Sequence, residues 1–227
     1  MLGLSWRPKE ENIVKHKQQG FTIVELMIAT TVFSFILIVA SSGIVSIGQL
    51  YYKGITSSKT QEVARNIMDE VARARQFSND SGSYTDQVIG GYKAVCFGEA
   101  RFSYKINQKV DNTAGTKGLI YKQRSLSGEC KPDIDTSTGG EEMLANNMRL
   151  LDFGVTSIDT YNNKFRVVVK VAYGDNDLLS MYDDNAGPAD SPLVPEAEFN
   201  QAQCKSGIAG RNFCSVSELA TIVNKRI

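Results

Sequence analysis

From Leu26 to Tyr52 the chain carries no charged residue, and between Phe21 and Tyr52 the only charge is Glu25. About 20 apolar residues in a helix cross roughly 30 Å of hydrocarbon, so this run is long enough to span a membrane with residues to spare. It divides the chain into an apolar N-terminal part and a polar remainder. The chain has 227 residues, 42% hydrophobic and 22% charged, with 25 Lys+Arg against 25 Asp+Glu. That leaves room for one ordinary domain behind the apolar run. Balanced charge argues against a general nucleic-acid binder, because counterion release from phosphates needs a basic surface.

The chain holds one histidine, His16, which precedes the apolar run. A chain without it has no Ser-His-Asp or Cys-His pair and no histidine for a catalytic zinc. A hydrolase built on paired carboxylates stays formally open, although the spacing of the acidic residues does not ask for one. No Gly-rich phosphate loop and no nucleophile motif is visible, so the chain is not expected to be an enzyme and no cofactor is expected.

The segment before the run is hydrophilic, with Arg7, Lys9, Lys15, His16 and Lys17 beside Glu10 and Glu11. An ordinary secretory signal places its apolar core before the cut. Here the polar stretch stops at Gly20 and the apolar stretch begins at Phe21, so cleavage after Gly20 leaves the helix on the mature protein. More Lys and Arg lie close before the span than close after it, where Lys53 and Lys59 come first. The leader is therefore expected to stay in the cytoplasm while the bulk crosses.

Gln19-Gly20-Phe21-Thr22-Ile23-Val24-Glu25-Leu26 resembles the prepilin cleavage and methylation motif of type IV pilins and of the pseudopilins of type II secretion. The resemblance covers roughly the first quarter of the chain. It implies a membrane aspartyl peptidase that cuts between Gly20 and Phe21, methylation of the new Phe21 amine, and withdrawal of the helix into a filament of pilin or pseudopilin subunits. The protein would sit first in the cytoplasmic membrane as a single span, then in an extracytoplasmic or cell-surface filament.

Glu25 has a physical reading of its own. A carboxylate one turn inside an apolar helix costs a few kcal/mol, so it needs a partner or a shallow depth. The Phe21 amine, on the same or a neighbouring subunit, is such a partner, which makes Glu25 the expected assembly residue. The plainer reading is a side chain tolerated by the helix dipole at the interface.

Beyond the span, Ile55, Val63, Ile67, Val71 and Ala74 recur at helical steps, while Lys59, Glu62, Arg65, Asp69, Arg73 and Arg75 take other faces. Phe21 to Phe77 thus reads as one helix of about 85 Å. Gly43 and Gly48 are its weak points, or else permit close helix approach. Turn residues follow at Ser78-Asn-Asp-Ser-Gly-Ser, and the period then changes to two. Tyr92–Phe97, Arg101–Ile106, Leu119–Gln123, Met148–Val155 and Phe165–Tyr173 read as strands. The expected class is α+β: a long N-terminal helix packed on a mostly antiparallel sheet, in agreement with the pilin architecture that the resemblance implies. The expected organisation is a removed leader, 1–20, a membrane and amphipathic helix, 21–77, and an extracytoplasmic β-rich domain, 78–227. Lys131–Glu142 and Gly174–Asn200 read as long surface loops able to carry partner contacts.

Four cysteines, Cys96, Cys130, Cys204 and Cys214, fall after the span, on the side where disulfides persist. Three pairings are open to them. Cys204 with Cys214 and Cys96 with Cys130 are favoured because each closes a short or neighbouring loop, and the resemblance adds support for a C-terminal disulfide. Four thiolates on zinc are the alternative. Asp175, Asp177, Asp183 and Asp184 invite calcium, but Leu179 breaks the EF-hand pattern, and no metal site is expected.

The resemblance and the two irregular insertions make a minor pilin or pseudopilin, a structural and assembly subunit, the leading function. The alternative is a bitopic protein that keeps its leader and binds a ligand outside. A DNA-uptake role would rest on Lys205, Arg211, Lys225 and Arg226, four scattered cations that read as ordinary surface.

Overall fold

The computed structural model describes residues 20–78, 83–123, 129–137, 139–159 and 164–225, with backbone alone for 83–87. The leader therefore lies outside the described residues. The chain divides into two compact units, Met1–Ser46 and Ile47–Ile227, and the boundary falls inside the first helix.

Helix α1 (Ile23–Phe77) has 55 residues and runs without interruption through Ser42-Gly43 and Gly48. In the first unit its apolar side chains, among them Phe33, Phe35, Ile36 and Ile38, are all exposed. Such a surface has no place in water and is the ordinary surface of a helix in lipid. The hydroxyls along it turn inward to the helix's own carbonyls. Thr30 Oγ1 donates to Met27 O at 3.0 Å, Ser34 Oγ to Thr30 O at 2.8 Å and Ser42 Oγ to Val39 O at 2.8 Å. Each polar group thereby loses its need for water.

In the second unit the helix presents Thr60, Ala64, Ile67, Met68, Val71 and Arg75 to the core. Ile67 and Val71 belong to the expected stripe, whereas Ile55 is exposed. Arg75 departs from expectation: the periodicity puts it on another face, yet it is buried. Its guanidinium lies 3.6 Å from the centroid of the Phe165 ring and 5.7 Å from that of Phe97, which accounts for a charge in an apolar layer.

Two antiparallel sheets pack with this half of the helix, where the sequence suggested one. The first is a meander of β1 (Ser83–Ile89), β2 (Tyr92–Phe97), β3 (Ala100–Tyr104), β4 (Leu119–Gln123) and β5 (Glu141–Glu142) in that order. The second runs β6 (Met148–Ser157), β7 (Lys164–Tyr173) and β8 (Ser215–Asn224). β1, β5 and β8 are not among the strands read from the alternation in the sequence. A main core joins Ala64, Ile67 and Val71 of α1 to Val95 and Phe102 of the first sheet and to Leu150, Val167 and Val169 of the second. The arrangement is α+β and consistent with a pilin-like fold.

The β7–β8 connection is the main departure from a plain meander. Tyr173 and Ser215 are register partners, so residues 174–214 leave and rejoin the sheet at one point. They do not form the bare loop expected from Gly174 to Asn200. Leu178, Leu179, Met181, Tyr182, Phe199 and Ala202 bury against Leu151 and Ala172 in a second core. Gly174 starts the excursion at φ +126°, where a Cβ would also stand 3.2 Å from Phe213 O.

Candidate assembly site and its supporting domain

The start of α1 is built by Thr22. Its Oγ1 accepts the backbone N–H of Glu25 at 3.2 Å, and its carbonyl accepts that of Leu26 at 3.1 Å. Thr22 is therefore the N-cap, and Thr-x-x-Glu has the spacing of a capping box. The sequence reading missed this role, although the spacing was there to signal it. Glu25 occupies the third helical position, where the positive end of the helix favours a carboxylate. Gly20 and Phe21 precede the helix in non-helical backbone, and Phe21 is 84% exposed. The junction between Gly20 and Phe21 is thus accessible, and an exposed apolar helix follows it directly.

Residues 15–41 match a family described as the prokaryotic N-terminal methylation motif. The chain carries a type IV prepilin motif. That motif marks a pilin-like or pseudopilin precursor, and it includes the Gly20-Phe21 junction, the Thr22 cap, Glu25 and the first half of the membrane-grade helix. The chain as a whole matches no curated protein and no solved structure.

The domain that follows the prepilin helix is held by two disulfides, Cys96–Cys130 with Cα atoms 6.0 Å apart and Cys204–Cys214 with Cα atoms 5.8 Å apart. Around the first, Asp133 bridges Arg101 Nη2 at 2.5 Å and Lys122 Nζ at 2.7 Å, and its backbone N–H donates to Ser103 Oγ at 2.9 Å. The segment after Cys130 is therefore clamped to β3 and β4. Burial works to raise the Asp133 carboxyl, but the Lys122 ammonium, the Asp135 backbone N–H and Arg101 outweigh it and hold it below the usual carboxylate range. Glu142 closes the far end of that segment. Its carboxylate accepts the backbone N–H groups of Gly118, Leu119 and Leu144, while burial pushes it up.

Arg149 is the centre of the second core and is 0% exposed. Its Nη1 donates to Asn176 Oδ1 at 2.7 Å and Asn107 Oδ1 at 3.2 Å, and its Nη2 donates to Gly174 O at 3.0 Å. The Tyr182 hydroxyl in turn accepts from Asn107 Nδ2 at 2.6 Å. Lys170 has a similar place on the same sheet face. It donates to Asn200 O and pairs with Glu218 at 3.2 Å, its register partner on β8. Neither Arg149 nor Lys170 was singled out from the sequence.

The acidic residues of 174–214 do not converge. Asp175 pairs with Lys109 at 2.8 Å, Asp184 with Lys205 at 2.8 Å, and Asp190 Oδ2 accepts the Gly187 N–H at 2.7 Å. Among the described residues no three His, Cys, Asp or Glu side chains group as a metal site. A cleft of about 650 Å³ beside the end of α1 is lined by Arg73, Phe77, Phe97 and Tyr121, with Glu70 and Glu99 also on its wall. Of the four C-terminal cations, Arg211 is exposed, Lys205 pairs with Asp184 at 2.8 Å, Lys225 is half-buried and Arg226 lies outside the described residues.

Proposed function

We propose that this chain is a structural subunit, a minor pilin or pseudopilin, of a type IV pilus or a type II secretion-like filament. A leader, residues 1–20, is removed by prepilin peptidase after Gly20. Phe21 becomes the N-methylated first residue, residues 21–77 form the membrane and assembly helix, and 78–227 form the extracytoplasmic domain. The carrying observation is the prepilin motif set at an accessible junction before a helix whose apolar side chains are all exposed from Ile23 to Val45. The family is one of structural subunits, and the partners it implies are the peptidase and other pilin or pseudopilin subunits.

In this reading Glu25 neutralises the Phe21 amine of a neighbour. Phe21 precedes the helix and Glu25 lies in its first turn, so an axial offset of about one helical turn between neighbouring subunits brings the amine of one towards the carboxylate of the other. In lipid or in a filament core such a pair replaces two isolated charges. Glu25→Ala is expected to leave the protein in the membrane at parental amounts while reducing its recovery in sheared filaments several-fold. Parental recovery contradicts the pairing. Thr22→Ala separates the two roles of this turn, since it removes the cap and leaves the carboxylate.

A further inference from the structure

The second sheet ends in an open edge. β8 pairs with β7 without a register shift, from Asn224 opposite Lys164 to Ser215 opposite Tyr173. It has no neighbour on its other side, and among the described residues no backbone hydrogen bond reaches Ser215–Asn224 from outside that pair. Edges are ordinarily blunted by brevity, bulges, proline or an exposed lysine. β8 has none of these: it reads Ser-Val-Ser-Glu-Leu-Ala-Thr-Ile-Val-Asn, its one charge, Glu218, is held by Lys170 on β7, and Ile222 is 63% exposed. Beside the edge, a groove of about 610 Å³ lies between Thr221, Asn224 and the Ala72, Gln76 and Phe77 side of α1, with Asp69 and Arg73 also on its wall. A row of unpaired N–H and C=O groups above a groove suits an extended chain whose alternate side chains enter the groove.

Symmetry narrows the choice of chain. Antiparallel pairing of β8 with β8 of a second copy needs a two-fold axis normal to the sheet. Such an axis reverses every element that lies along the sheet, and α1 lies along it for about four turns, from Thr60 to Arg75. In a filament of the kind proposed above, neighbouring helices run the same way, so the contact has to be heterologous, one edge meeting a different edge of the next copy. β5 has two residues, and β6 is taken near its start by Asn107 and Val110, whose N–H groups donate to Leu150 O and Met148 O. β1 is the outer strand of the first sheet and pairs with β2 alone; residues 86–88 have no register partner there, and Val88 and Ile89 are exposed. The charges agree. β1 carries one, Asp86, while Lys164 and Arg166 are exposed on β7 directly beside β8, opposite Asn224 and Ile222. We infer that β8 of one subunit and β1 of a second copy pair edge to edge, so that the sheets of successive subunits join. The inference rests on the filament reading given above.

The test uses the full chain in its own cells, co-expressed as two differently tagged forms. One form carries the photo-crosslinking residue p-benzoylphenylalanine in place of Ala220, an exposed position midway along β8. In sheared filaments, irradiation is expected to join the two tagged forms, with the link mapped to the peptide that contains Ser83–Ile89. Ile222→Lys and Val88→Lys each set a charge on one of the two edges, at side chains that are exposed. Each is expected to lower the yield of the link several-fold while the thermal midpoint stays parental. Filaments in which the two forms are not joined overturn the inference. A link that falls within β8 of the second copy, a link from position 220 to another protein only, or a yield that ignores both substitutions also overturns it. A parental chain that is never found in filaments contradicts the filament reading itself, which separates that failure from this one.

Discussion

Arg149 shows how one side chain can define a region that has no regular structure. The group cannot shed its charge at any ordinary pH, and among the described residues it forms no ion pair, so burial is offset by oriented acceptors and by the Tyr182 ring, whose centroid lies 5.7 Å from the guanidinium. Burial also acts to lower its pKa, with Tyr182 and Asp175 opposing. Arg149→Met keeps the volume and leaves Asn176 Oδ1 and Gly174 O without their donor. Leaving buried acceptors unpaired costs on the order of 1 to 3 kcal/mol each before relaxation, so a loss of about 2 to 4 kcal/mol is expected. It should appear as a lower denaturation midpoint together with new protease cuts between 183 and 195. An unchanged midpoint with unchanged protection would show that the acceptors are served in another way. The sequence could not indicate this role. Strand alternation sends Met148 and Leu150 into the main core and assigns Arg149 to solvent, and only the folded excursion from 174 to 214 covers that face.

At the scale of elements, the same cover explains which parts were legible. The uncharged run, the helical stripe through Ile67 and Val71 and the alternation in β7 are local patterns, and each produced the element it suggested. The second core has no local period, because its residues come from turns and depend on Leu151 and Ala172 far away in sequence. Leu151 is the extra residue at a β-bulge, since Leu150 opposes Val171 and Asp152 opposes Lys170, and the bulge delivers one more apolar side chain to that core. In the candidate assembly site the glycine, the aromatic start and Glu25 were legible because they are contiguous, while the Thr22 cap was present in the pattern and passed over. The clamp on the 129–137 segment carries a pH prediction. The Asp133 carboxyl lies below its unfolded value, so its stabilisation is complete above the unfolded pKa of about 4 and is lost as pH falls through the lower folded value. Thermal midpoints of the parent should therefore fall faster than those of Asp133→Asn below about pH 4, and the two should differ most at neutral pH. Parallel curves down to low pH would contradict the clamp.

At the scale of the whole molecule, the apolar first half of α1, exposed throughout, fits lipid, a filament of like helices, or both in turn. With the motif at 15–41, the proposed order is lipid first, then a cut after Gly20 that frees an amine close to a carboxylate, then assembly. In that proposal the domain stapled by two disulfides is the part that stays outside through each step. The claim on which all of this depends is the processing at Gly20. The most direct measurement is the intact mass and N-terminal residue of the protein purified from its own cells. The account predicts a chain that begins at a methylated Phe21 and lacks residues 1–20. A protein found in filaments or membranes that still begins at Met1 would contradict it, and α1 would then be a permanent anchor.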